Sequence, residues 1–123
     1  MPDEIIDIGG VRAYVCAPDG PVLSTTDTHD LIGQAMFDGA ELVVIPAERL
    51  GDDFFTLRTG VAGELLQKFV NYHLRLAVLG DISARVAASP ALRDFVYEAN
   101  RGRHAWFLPD RPTLNERLAA ARR

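Results

Sequence analysis

Residues 42–79 read L-V-V-I-P-A-E-R-L-G-D-D-F-F-T-L-R-T-G-V-A-G-E-L-L-Q-K-F-V-N-Y-H-L-R-L-A-V-L. The run at 41–46 is a short buried strand, and the run at 74–79 is another, closed by Gly80-Asp81. Between them Val61, Leu65, Phe69 and Tyr72 recur at helical spacing and make one apolar stripe. Strand, helix and strand in that order form a crossover unit, which requires a parallel pair. The other face of the same helix collects Gly60, Glu64, Gln67 and Asn71, with Gly63 beside them. An outward helix face usually carries Lys, Arg and Glu. Glycines, two amides and one carboxylate suit close contact better than open water.

The pattern extends in both directions. Residues 5–8, Gly9-Gly10 and residues 11–17 read as a hairpin, with Val11, Ala13, Val15 and Ala17 on one side and Arg12, Tyr14 and Cys16 on the other. A first helix starts near Asp27 as its cap, carries Leu31, Ile32, Ala35 and Met36 as its apolar stripe and ends at Gly39. Residues 49–59 form a loop, with one helical turn after Pro46. Ser89-Pro90 starts a helix that buries Leu92, Phe95, Val96 and Ala99 and stops at Asn100-Arg101-Gly102. A last strand at 104–108 precedes a terminal helix at 112–121 with Leu114, Leu118 and Ala121 on one side. The expected fold is a single α/β domain over residues 1–123: a mostly parallel or mixed sheet of about five strands, an N-terminal hairpin and four main helices.

Composition narrows the function. The chain has 123 residues, hydrophobic residues at 48% and charged residues at 24%, enough for one packed core without disulfide or metal. A net charge of −4 argues against nucleic acid or an anionic membrane as partner, since both attract basic patches. Cys16 stands alone and reads as a buried thiol in a reducing compartment. The start M-P-D-E-I-I-D-I has no signal-peptide pattern, and no apolar run is long enough to span a bilayer, so a cytoplasmic protein is expected.

Three blocks carry a resemblance over nearly the whole chain: L-R-T-G-V-A-G-E-L-L-Q-K-F-V-N-Y, L-R-L-A-V-L-G-D-I-S and S-P-A-L-R-D-F-V-Y-E-A-N-R-G-R. Together they look like the small bacterial family known as domain of unknown function 4180, which supplies no activity to carry over. The segment V-V-I-P-A-E-R-L-G-D-D-F-F-T-L-R-T-G-V-A-G-E-L-L-Q also resembles the central block of STAS domains, the anti-sigma-factor-antagonist-like modules. There a strand leads through a loop into a Ser/Thr–Gly pair that opens a helix. The resemblance implies a regulatory module and places Thr59, before Gly60, where a partner kinase phosphorylates such proteins. Here the loop at 47–58 is longer and more charged, and Leu57-Arg58 replaces the usual aspartate before a double serine.

The candidate residues each have a plain structural reading. Thr59 is by default a helix cap; with Arg58 and the N–H groups of Gly60 and Val61 it also makes a pocket for a small anion. Glu64 pairs with Lys68 one turn on, or serves as a general base. Asn71 is tolerated as a C-cap. Arg93, Tyr97 and Asn100 share a face of the next helix, and Arg93 and Asn100 either make local contacts or meet Glu64 and Asn71 in one polar cluster. Asp81 and Ser83 leave the carboxyl end of a strand, where open α/β sheets place ligands, and are equally turn formers. His29, His73 and His104 have no ligand spacing, so no metal and no cofactor is expected. No nucleophile–base signature is present, and no catalytic residue is assigned.

Two functions follow. The first is a non-enzymatic STAS-like regulatory or interaction domain, with a protein partner or a second copy on residues 58–71 and the loop at 81–89. The second is a small-molecule-binding protein or minor enzyme with a polar pocket of Arg58, Glu64, Asn71, Arg93 and Asn100.

Overall fold

The computed structural model describes residues 3–121; Met1 and Pro2, which belong to the N-terminal signal reading, lie outside the described residues. One sheet contains β1 (Glu4–Ile8), β2 (Val11–Val15), β3 (Leu42–Pro46), β4 (Arg75–Leu79) and β5 (Ala105–Leu108). The strands lie side by side in chain order, β1 antiparallel to β2 and each later pair parallel. Gly9 and Gly10 turn the hairpin with φ of +59° and +84°, the left-handed pair that a two-residue turn demands. The expected α/β domain with a five-stranded sheet and an N-terminal hairpin is the fold observed.

The helices are α1 (Thr25–Phe37), α2 (Asp52–Phe55), α3 (Val61–Asn71), α4 (Ser83–Ala88), α5 (Pro90–Arg101) and α6 (Arg111–Ala121). Because strand order equals chain order, every crossover steps in the same direction. Right-handed crossovers then lay all their helices on one face. The buried side chains show this division. Tyr14, Cys16, Val43, Ile45, Leu76, Val78 and Phe107 pack with residues of α1, α2, α3 and α5, including Ile32, Phe54, Leu65, Phe69 and Leu92. The alternate strand positions, Val11, Ala13, Val15, Leu42, Val44, Ala77, Trp106 and Leu108, are covered by Leu114 and Leu118 of α6. Phe69 is only 1% exposed, burial that stabilises by about 2–3 kcal/mol.

Several boundaries differ from the sequence expectation. Ser24, not Asp27, caps α1: its hydroxyl accepts the Asp27 N–H at 3.0 Å, and the Asp27 carboxylate accepts the Ser24 N–H at 2.9 Å. This is a capping box, with Asp27 at its third helical position. Met36 is exposed, because the buried stripe is Thr28, Leu31, Ile32 and Ala35, and Met36 lies about 100° round the helix from Ala35. Tyr72 leaves the α3 stripe as well, and Ala62 takes its place in the core. Ala121 is exposed on α6. The stretch expected as a loop at 49–59 contains α2 and a 3-10 turn, Leu57–Thr59. The loop expected at 81–89 contains α4, which leans on α2: the Arg85 guanidinium lies 4.6 Å from the Phe55 ring centroid and bonds the Asp52 carboxylate at 2.9 Å.

The two central helices end alike. Ala40 N–H reaches the Ala35 carbonyl and Leu74 N–H reaches the Phe69 carbonyl, each across a residue with positive φ. These are Schellman closures. After α1 that residue is Gly39, at +72°; after α3 it is His73, at +57°. Asn71, expected as a C-cap, is the last residue of α3, and Tyr72 is the cap.

Candidate functional site

Around the start of α3 the loop ties itself shut. Thr59 Oγ1 accepts the Val61 N–H at 3.2 Å and lies 2.6 Å and 2.9 Å from the carbonyls of Asp53 and Thr56, to which its proton is donated. The residue that caps α3 is Gly60, at φ +81°, so Thr59 holds the preceding loop rather than capping by itself. The Gly60 N–H bonds the Leu57 carbonyl at 3.0 Å. Both N–H groups expected to cradle an anion are therefore engaged inside the loop. Arg58 is exposed beside them.

The residues expected in one polar cluster are not brought together. Asn71 Oδ1 accepts from Gln67 Nε2 at 2.9 Å on the outer surface of α3. Arg93 pairs loosely with its neighbour Asp94 at 3.6 Å, both well exposed. Asn100 turns inward to the edge of the sheet, bonding the Phe107 main chain through both ends of its carboxamide. Asp81 accepts the Ser83 N–H at 2.9 Å, a turn, and hydrogen bonds from the Ser83 side chain and main chain hold its carboxyl below the usual range. Gly80 is fixed by close approach, since a Cβ there would lie 2.9 Å from that of Ala47.

Glu64 stands apart from the rest. Glu64 and Lys68 do not close the expected ion pair; both line a cleft of about 570 Å³ between the first turn of α1 and the α2–α3 segment. Its floor is apolar, from Leu23, Leu50, Phe54, Val61 and Leu65, and its rim holds Ser24, Thr25, Asp52 and Asp53. Thr28 also lines it, 7% exposed, with its hydroxyl proton donated to the Thr25 carbonyl at 2.8 Å. The cleft lies at the carboxyl ends of β2 and β3, because α1 follows the one strand and α2 the other. Ser24 could be found from the S-x-x-D spacing of residues 24–27. Leu23, Thr28, Leu50 and Phe54 carry no such signal.

Exposed apolar side chains stand at two helix ends. Phe37 is 86% exposed and Met36 47% at the end of α1; Val70 is 36% and Tyr72 43% at the end of α3. The two ends are neighbours, since the Arg75 N–H bonds the Glu41 carbonyl and Arg75 is the register partner of Leu42. Gly33 of α1 and Gly63 of α3 face open space, with nothing but their own helix's backbone and chain neighbours within 4 Å of where a Cβ would stand. Cys16, by contrast, is enclosed, and burial pushes its thiol up to about 12, which keeps it protonated and unreactive. Trp106 is buried, donates to the Gly102 carbonyl at 2.8 Å and has the guanidiniums of Arg75 and Arg117 at 4.9 Å and 4.5 Å from its ring centroid, a core role.

The architecture defines a small α/β domain with a five-stranded mixed sheet. The chain belongs to the family described as Domain of unknown function (DUF4180), which matches residues 8–118. No curated protein and no solved structure matches it. No helix among the described residues is long and apolar enough to cross a membrane.

Proposed function

We propose that this chain is a non-enzymatic, STAS-like interaction domain of the cytoplasm, and that its working face joins the outer side of α3 to the C-terminal end of α1. The observation that carries the reading is the group Met36, Phe37, Val70 and Tyr72, apolar side chains left in solvent at two neighbouring helix ends. Single exposed apolar residues are common on protein surfaces, but large ones at two helix ends, on helices that also carry open glycines, suit a contact surface. Gly33 and Gly63 weaken their helices and leave room for a second backbone, a combination that a partner surface explains. The order β-β-α-β-α-β-α-β-α of the main elements, with Thr59-Gly60 before the central helix, supports the STAS-like assignment.

The partner taken first is a second copy, packing α3 against α3 about a two-fold axis. Sedimentation at tens of micromolar tests it. The wild type is expected to associate, while Gly63→Arg and Phe37→Ser keep the monomer's helical spectrum and lose association. A wild type that stays monomeric and retains no partner through this face ends the proposal.

A further inference from the structure

The geometry points to a ligand site in the cleft between α1 and the α2–α3 segment, for a small amphipathic amine: one cationic head on an apolar body. The site shares helix α3 with the interaction face, but it does not rest on association.

Three properties of the cleft specify this occupant. Its volume, about 570 Å³, falls in the range that takes one small organic molecule, and its floor of Leu23, Leu50, Phe54, Val61 and Leu65 takes an apolar body. Its charge is unbalanced toward the negative. Asp52 is bonded to Arg85, whereas Asp53 and Glu64 have no side-chain partner among the described residues, and Lys68 is the single basic residue on the lining. That leaves one negative charge in excess. The positive end of α1, which would otherwise draw an anion, is already met by the Asp27 carboxylate inside the capping box.

The third property is hydrogen-bond polarity. Thr28 is the one buried polar residue among those described, and its proton is committed to the Thr25 carbonyl. It can offer the cleft only oxygen lone pairs. Thr28, Asp53 and Glu64 supply acceptors, while the donors on the same lining are the Lys68 ammonium and the hydroxyls of Ser24 and Thr25, so an ammonium head meets the acceptors and the excess charge together. A carboxylate in the same place meets repulsion from Asp53 and Glu64 and finds no donor in Thr28.

The test titrates the full chain with 2-phenylethylamine, 2-phenylethanol and 3-phenylpropanoate, following backbone amide shifts by NMR. The amine is expected to saturate with shifts at Thr28, Phe54 and Leu65, and to bind at least tenfold tighter than the carboxylate. Glu64→Gln and Asp53→Asn change exposed side chains and leave the fold intact; each is expected to weaken the amine at least fivefold while leaving the alcohol within twofold. Equal binding of amine and carboxylate overturns the assignment. So does an amine affinity unaffected by both substitutions, a saturable shift confined to another surface, or no saturable shift with any of the three probes.

Discussion

The carboxamide of Asn100 closes a two-point hydrogen bond with the main chain of Phe107: its Oδ1 accepts the N–H at 2.7 Å and its Nδ2 donates to the carbonyl at 3.1 Å. β5 is an edge strand. The carbonyls of His104 and Leu108 accept from Leu76 and Gly80, so alternate residues of β5 turn toward β4 and Phe107 turns its main chain outward. Asn100 thus fills the place of a further strand at one position. The Asn100 carbonyl in turn accepts from Arg117 Nη2 at 2.6 Å, so α5, β5 and α6 meet at this residue.

Asn100→Ala is expected to destabilise the domain by about 2–3 kcal/mol, since it strands a donor and an acceptor at a half-buried edge. Asn100→Asp keeps the acceptor, loses the donor and sets a carboxylate against a carbonyl, so it does not restore the wild-type value. Urea denaturation of the three proteins measures this. Variants as stable as wild type would show the two bonds to be worth nothing net.

His73→Gly is expected to stabilise by about 1 kcal/mol. A non-glycine residue in the left-handed region carries a penalty that glycine avoids, and the Schellman closure of α3 requires that conformation at position 73. The companion Gly39→His places the same penalty after α1 and should lower stability by a similar amount. Thermal unfolding of the pair reads both signs.

Gly33→Ala and Gly63→Ala are each expected to raise monomer stability by about 0.5–1 kcal/mol, because alanine is the better helix former and the added methyl meets no other atom. If the glycines serve a partner, Gly63→Ala also weakens association. Denaturation and sedimentation of the same samples separate the two effects; a destabilised monomer would contradict the open space at both positions.

The capping box gives α1 a pH-dependent anchor. Hydrogen bonds from the Ser24 main chain and side chain hold the Asp27 carboxyl below its ordinary value in the folded protein. A carboxyl depressed by folding contributes stability above its unfolded pKa of about 3.9, and that contribution is lost as pH falls through the folded value. Wild type should therefore exceed Asp27→Ala in stability at neutral pH by more than it does near pH 3. Urea midpoints at both pH values check the sign; a gap that widens in acid would refute it.

The residues differ in how openly the sequence announces them. The sheet follows from short apolar runs such as Leu42–Pro46, and α3 from its 3.6 period, which buries Ala62, Leu65 and Phe69. Ser24-Thr25-Thr26-Asp27 carries its cap in its spacing, yet Asp27 alone suggests a later start. α4 is too short for a period and depends on Arg85 lying against Phe55, a contact between segments distant in sequence. His73 in a left-handed conformation has no sequence mark, because glycine is the usual signal there. The candidate residues suffered most where helix-face arithmetic had to guess a neighbour. Asn100 shares a helix face with Arg93, but its carboxamide serves β5. The cleft is built from three separate segments, so only Glu64 among the expected site residues points to it.

Strand order equal to chain order also shapes how the domain is made. Each strand leaving the ribosome finds its partner in the strand just completed, so the helix-covered face can assemble progressively during synthesis. The opposite face cannot. Val11, Ala13, Val15, Leu42, Val44 and Trp106 await Leu114 and Leu118, which emerge after every strand has been made. A nascent chain halted before α6 would carry a paired sheet with a bare apolar side, the kind of surface that chaperones hold, and translation through Leu118 is the step that releases it.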